Sequence, residues 1–285
     1  MALPVNTIIG KDKRNFRDIL RLAIADMAVN GYQNYERIDQ WINALRNAAE
    51  RDIESESVID EELRRTFGAI YAKMIERGGV AKYVPGVARF NLSMVRPELR
   101  AELDRRIMAS ADLIKLHRRE AINTTLTRFS GWATSIPPQG DDTVSLRSVQ
   151  SDIGKSVAQF KFEKRRVAID QTHKLIGNIN NIVAVNNGAI AGMWHSHGEH
   201  DKSYNARKDH LKRAGKVYAI KGSWAVERGL INKGAGYLED MTAPGQEVFC
   251  RCYVTYIISP RRVPETMLTA KGKMWLSMQS TKMAA

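Results

Sequence analysis

The residue types best suited to chemistry fall in one window. Trp194-His195-Ser196-His197-Gly198-Glu199-His200-Asp201 is followed by Arg207, Asp209 and His210, and then by Cys250-Arg251-Cys252. Four of the six histidines and both cysteines of the chain lie here. Thiolates and neutral imidazoles are the donors zinc prefers, and two cysteines one residue apart point to the same side of an extended strand. These types predict a metal site of His210, Cys250 and Cys252 with one further histidine, His197 being the choice among His195, His197 and His200. The single-residue gap between the cysteines differs from a standard zinc finger, where two to four residues intervene. The same residues also fit a second account, in which Cys250 and Cys252 are small buried strand residues and His210 is hydrogen-bonded beside them.

A catalytic alternative uses the same window. His195 or His197 with Glu199 or Asp201 could form an acid–base pair on a bound metal, the arrangement of a metal-dependent nuclease that hydrolyses a phosphodiester. The sequence has no phosphate-cradling Walker loop, no nucleophile elbow and no pair of zinc-protease histidines at helical spacing. The chain is therefore expected to be non-enzymatic, with no catalytic residue assigned and the nuclease kept as the alternative.

Charge points to a polyanionic neighbour. The 285 residues hold 44 Lys and Arg against 31 Asp and Glu, a net +13, and the excess is uneven. Residues 1–150 carry 23 basic and 20 acidic groups, whereas residues 151–285 carry 21 and 11. Lys164, Arg165 and Arg166, then Lys212 and Arg213, then Arg261 and Arg262, are the candidate phosphate contacts. Such contacts bind double-stranded DNA without reading its sequence and weaken with salt. With only two cysteines, one residue apart, reduced thiols are expected and a disulfide framework is excluded. The start of the chain lacks the apolar core of a signal peptide, and no run is long enough to span a membrane. Folding in a reducing cytosol is expected.

These residues need a scaffold, and the pattern predicts one that is mostly helical. Apolar side chains recur at helical spacing over Arg14–Val29, ending at Gly31, and over Tyr35–Asp52. A third helix runs from about Ser57 to the Gly78-Gly79 stop. Val80–Val95 predicts a loop, and a long helix of about 30 residues starts near Pro97 and carries Leu99, Leu103, Ile107, Ala111 and Ile114. Pro137-Pro138-Gln139-Gly140-Asp141-Asp142 marks the expected boundary between an N-terminal helical bundle, 1–137, and a small α+β domain, 143–258. That domain begins helically to about residue 190, with interruption expected at Gly154 or Gly177. Short strands then follow over Val217–Ile220 and Phe249–Ile258. Residues 259–285 form a basic C-terminal tail.

The order of residues from about 160 to 258 resembles the C-terminal domain of the Mu F-like minor head, or head morphogenesis, proteins of tailed bacteriophages. The matching positions are Arg165 and Arg166 in a helix, Gly188, Trp194, Asp201, Arg207 before His210, Gly215, Pro244-Gly245, Glu247 and Cys250-Arg251-Cys252. Where that family often carries Arg-Thr-Glu in its first helix, this chain has Asp170-Gln171-Thr172-His173. The resemblance implies a structural virion protein in several copies, associated with the portal or inner capsid proteins. It would act in assembly, DNA packaging or DNA ejection. In that setting Cys250, Cys252 and His210 hold the module together, with zinc or by packing, and Asp201 pairs with Arg207 or Arg251.

Overall fold

The computed structural model describes residues 3–10, 14–197 and 206–284. The chain is mostly helical with one small antiparallel sheet, as the pattern predicts. It divides into two compact units. The first comprises Met1–Glu62 with Ala109–Val167, and the second Leu63–Met108 with Ala168–Ala285. This division differs from the break expected at residue 137, because the long helices are each shared between the units. No helix among the described residues is long and apolar enough to cross a membrane.

In the first unit, α1 (Val5–Ile9), α2 (Phe16–Asn30) and α3 (Tyr35–Asp52) precede the start of α4 (Glu56–Tyr71). Asn15 and Asn34 cap α2 and α3, each side-chain oxygen accepting from a backbone N–H three residues on. The apolar stripe of α2 (Ile19, Leu20, Ala23, Met27) and that of α3 (Ile38, Trp41, Leu45) are fully buried. Inside this core Asp26 accepts from Arg37 Nε at 2.8 Å, Arg37 Nη2 at 2.6 Å and the indole N–H of Trp41 at 2.6 Å. The Pro137–Asp142 segment is no free linker. Gly140 turns it back on the end of α2, where Asp141 N donates to Ala28 O at 2.8 Å. Gly31, in a left-handed conformation at φ +67°, lies so close that a Cβ would stand 2.0 Å from Pro137 O. Only glycine fits there.

In the second unit α4 ends in a π turn, Ala72–Glu76, and a short 3-10 turn, Gly79–Lys82. The stretch expected to be a loop contains α5 (Arg89–Met94). The long helix α6 (Arg96–Ala133) has 38 residues and α7 (Leu146–Asn186) has 41. At 1.5 Å per residue they reach roughly 57 and 62 Å. Neither glycine breaks α7. Gly154 lets Leu20 of the first unit approach, where a Cβ would lie 3.2 Å from its Cδ2, and in the second unit Gly177 faces Pro244 O at 3.0 Å. Both are close-approach positions that a sequence pattern cannot distinguish from stops.

The sheet has the order β2-β1-β3, with β1 (Ala191–His195) central, β2 (Val217–Ala219) and β3 (Tyr253–Ile257). Both pairings are antiparallel, with Gly192 opposite Tyr218 on one side and Tyr256 on the other. β1 was not foreseen. Ala189, Ile190, Ala191 and Trp194 are buried, and such a short apolar run directly after a helix carries no helix-or-strand period of its own. A core of Ile190, Val217, Ala225, Leu230, Ile257 and Met267 lies against the sheet. Between β1 and β3 come α8 (Lys208–Arg213) and α9 (Trp224–Glu227), and α10 (Ala270–Ala284) closes the chain. The segment expected to be a basic tail is folded. Trp275 of α10 packs on Trp224, and Gly272 lies against Leu230 O, where a Cβ would come to 2.1 Å.

Candidate metal centre

Three separated segments of the second unit meet at one buried point. The first is β1, whose Trp194 is fully buried. Its backbone is tied to the turn before β2, with Trp194 N donating to Lys216 O at 3.0 Å and Gly215 N to Trp194 O at 2.9 Å. Gly215 is left-handed at φ +72° and turns the chain from α8 into β2. The same link holds α8, the second segment, against Trp194. The His210 ring meets the indole edge-on at 5.6 Å, and the Arg213 guanidinium covers it at 5.1 Å.

The third segment is the turn before β3. Phe249 takes the left-handed conformation at φ +59°, unusual for an aromatic residue. Its N–H donates to Asp170 Oδ1 of α7 at 2.6 Å, and Lys174 Nζ holds the other oxygen at 2.7 Å. Asp170 is only 5% exposed. A buried, lysine-paired carboxylate thus fixes the turn that delivers Cys250 and Cys252. The resemblance gave Asp170 no role, and 79 residues of separation hide this contact from any local pattern.

At the meeting point His210 Nδ1 lies 3.5 Å from Cys250 Sγ and 3.6 Å from Cys252 Sγ. All three residues are buried, and their ligand atoms lie within 4.8 Å of one another. Tetrahedral zinc with bonds of about 2.0 Å to nitrogen and 2.3 Å to sulfur needs an N···S separation of about 3.6 Å. The donor set therefore fits. His210 Nε2 points to acids, 3.5 Å from Glu247 Oε1 and 3.7 Å from Asp209 Oδ2. A carboxylate behind a histidine fixes the tautomer that leaves Nδ1 free to coordinate. Glu247 is held in turn by Arg207, whose Nε is 2.8 Å from Oε2, and by Thr242.

The electrostatics of the pair have one origin. Cys250 is held far below the ordinary thiol range, to about 5, mainly by the hydrogen bond from the Cys252 thiol. Backbone N–H groups of Cys252 and Gly245 and the nearby His210 add to this, against the opposing effect of burial. Cys252 is pushed upward because it keeps the shared proton and is buried. Trp194 and Ser196 face the Cys252 sulfur and favour its thiolate. Yet Trp194 Nε1, Ser196 Oγ and His210 Nε2 are buried without a partner at hydrogen-bond geometry. These three polar groups surround the two sulfurs.

Of the expected ligands, His210, Cys250 and Cys252 come together, whereas His197 is exposed and outside the cluster. His195 is the last residue of β1 and not part of a loop. It stacks on Tyr253 at 4.7 Å, with Nε2 3.1 Å from Thr255 Oγ1. Glu199, His200 and Asp201 lie outside the described residues. The expected Asp201 pairing is thus not described for either arginine, and the carboxylate found on Arg207 is that of Glu247. Ser196, between two histidines, was overlooked because nothing local marks it.

The basic residues divide. In the first unit Lys164 is neutralised by Glu54 and Glu62, and Arg166 pairs with Glu163 at 3.5 Å, while Arg165 is exposed. In the second unit Arg213 is committed to Asp209 at 2.8 Å and to Trp194, while Lys212, Arg261 and Arg262 are exposed. The head groups of Lys164 and Arg213 are thus ion-paired and largely covered.

Compared with protein-family models, with curated proteins and with solved structures, the chain matches none of them.

Proposed function

We propose that this protein is a minor head, or head morphogenesis, component of a tailed bacteriophage. It is a structural protein of the virion interior, docked on portal or capsid proteins and contacting packaged double-stranded DNA without sequence preference. The observation that carries this proposal is the convergence of the residues that resemble the Mu F-like pattern. Trp194, Arg207, His210, Gly215, Glu247, Cys250 and Cys252 span nearly sixty positions of sequence, and all help to build one centre. A chance resemblance gives no reason for such residues to meet.

In this proposal zinc is the resident ion, held by His210 Nδ1, Cys250 Sγ and Cys252 Sγ. When bound it replaces the proton shared by the sulfurs and ties β1, α8 and the turn before β3 into one unit. Trp194 and Ser196 donate to sulfur, and Glu247 orients the imidazole. A structural role is favoured over a nuclease because the three donors are buried and His195 is committed to Tyr253 and Thr255. The exposed cations Lys212, Arg261 and Arg262 supply the salt-sensitive contact with DNA.

Quantitative mass spectrometry of purified particles of the encoding phage tests the proposal. The protein should be present at several copies per particle, and deleting its gene should yield heads that are malformed, unfilled or unable to deliver DNA. Its absence from particles, with normal heads formed by the deletion strain, would overturn the proposal.

A further inference from the structure

His210 belongs to an element whose inner and outer faces differ in chemistry. α8 has only six residues, and no side chain caps its N-terminus. A helix that short does not hold its shape alone, so it depends on what it packs against. His210 is its single buried residue. The ring meets Trp194 edge-on and turns Nδ1 to the two cysteines. Arg213 adds a second anchor, covering the same indole and donating to Thr242 Oγ1 at 3.2 Å.

The outer face carries charge. Lys208 and Lys212 are exposed one helical turn apart, and Lys216 is exposed in the turn that leads to β2. The acids of this region are engaged elsewhere, Asp209 by Arg213 and Glu247 by Arg207, each at 2.8 Å. Among the described residues no carboxylate pairs with Lys208, Lys212 or Lys216. α8 and its turn thus present three cations as a group. Contacts to the phosphates of a duplex need such charges held in place and no base-reading geometry.

What holds these cations in place is the imidazole beneath them. A metal on His210 Nδ1 would join α8 to the turn before β3, which Asp170 already fixes to α7. We propose that the metal centre sets the affinity of this face for double-stranded DNA. Metal held by His210, Cys250 and Cys252 orders α8, so that Lys208, Lys212 and Lys216 meet the phosphates as one preorganised group. The inference rests on the zinc and DNA readings of the proposed function and adds a coupling between them. Such coupling is reciprocal, so DNA raises the affinity for zinc by the factor that zinc raises the affinity for DNA.

The test is fluorescence anisotropy of a short labelled duplex of mixed sequence with the full chain, zinc-loaded and chelator-treated, over a range of salt concentrations. Metal content and circular dichroism are measured on each sample. We expect removal of zinc to weaken duplex binding at least fivefold while the long helices persist, and the duplex to tighten zinc at least fivefold in a competition titration. Lys208→Gln, Lys212→Gln and Lys216→Gln combined, at exposed positions, should leave zinc content unchanged. That variant should also lower the slope of log affinity against log salt by about 2 to 3, and abolish the effect of zinc on duplex binding. A chain that binds no zinc overturns the metal reading and the coupling with it, and a zinc-loaded chain that ignores the duplex overturns the DNA reading and the coupling. Zinc and duplex both bound, with duplex affinity unchanged by chelator, overturns the coupling alone, as does a triple variant that still responds to zinc. If the metal-free chain loses its helices, the zinc titration decides. No gain with duplex in the wild type, or an equal gain in the triple variant, then overturns the proposal.

Discussion

Each unit of this protein buries an indole N–H beside charged groups, and the two are finished differently. In the first unit Trp41 donates to Asp26, which also holds the Arg37 guanidinium, so every strong donor aimed at that carboxylate is used. In the second unit Trp194 points at a pair of sulfurs sharing one proton, and its N–H, the Ser196 hydroxyl and His210 Nε2 all lack a well-formed partner. The first is complete with protein atoms alone. In the metal-bound form proposed above, a dication would take the place of that proton, leaving more charge on sulfur and strengthening the bonds that Trp194 and Ser196 can donate. A buried polar cluster thus shows whether it is scaffold or site by what is left unsatisfied.

The largest break in this comparison is removal of the metal. At free zinc about a thousand times its dissociation constant, binding stabilises the folded state by roughly 4 kcal/mol. Thermal melts with and without a chelator should show that loss, and Cys252→Ser should remove the response to chelator. The complete cluster should fail differently. Asp26→Ala strands Arg37 and the Trp41 N–H and should cost about 3 kcal/mol in denaturant unfolding, with no dependence on zinc. A purely local strain comes next. Gly31→Ala places a side chain at φ +67° against Pro137 O, and a loss of roughly 2 kcal/mol is expected by the same assay.

Smaller effects sharpen the contrast. Glu247→Gln keeps the shape behind His210 but removes the carboxylate charge, so zinc affinity in a competition titration should fall about tenfold. The metal-free protein should also depend on pH in a particular sense. The lowered Cys250 contributes stability that is present above the ordinary thiol range near 9 and is lost as pH falls through about 5. The raised Cys252 contributes stability present below that range and lost above it. Between pH 5 and 9 the folded pair binds one proton fewer than the unfolded pair, so metal-free stability should climb. Above 9 it should decline, because the unfolded chain then binds fewer. Denaturant midpoints across this range, with a Cys250→Ser control, check the sign.

Much of the helical scaffold was legible, because α2, α3 and α6 carry apolar residues at 3.6-residue spacing between caps and glycine stops. What escaped depends on contacts distant in sequence. Gly154 and Gly177 look like breaks but serve close packing, and Pro137–Asp142 looks like a linker but is bound to the end of α2. In the site, residue type picked out His210, Cys250 and Cys252, which the fold brings together. His197 lies outside that group, a separation that only the fold reveals. Asp170 and Ser196 act through geometry alone, one on a backbone N–H of the distant turn and the other on a sulfur.

The most direct test of the claim that the second cluster is a metal centre is elemental analysis of the purified, reduced protein, with Cys250→Ser and Cys252→Ser beside it. The account predicts about one zinc per chain, lost in both variants. A folded wild-type protein that holds no metal, even after refolding with zinc present, would contradict it.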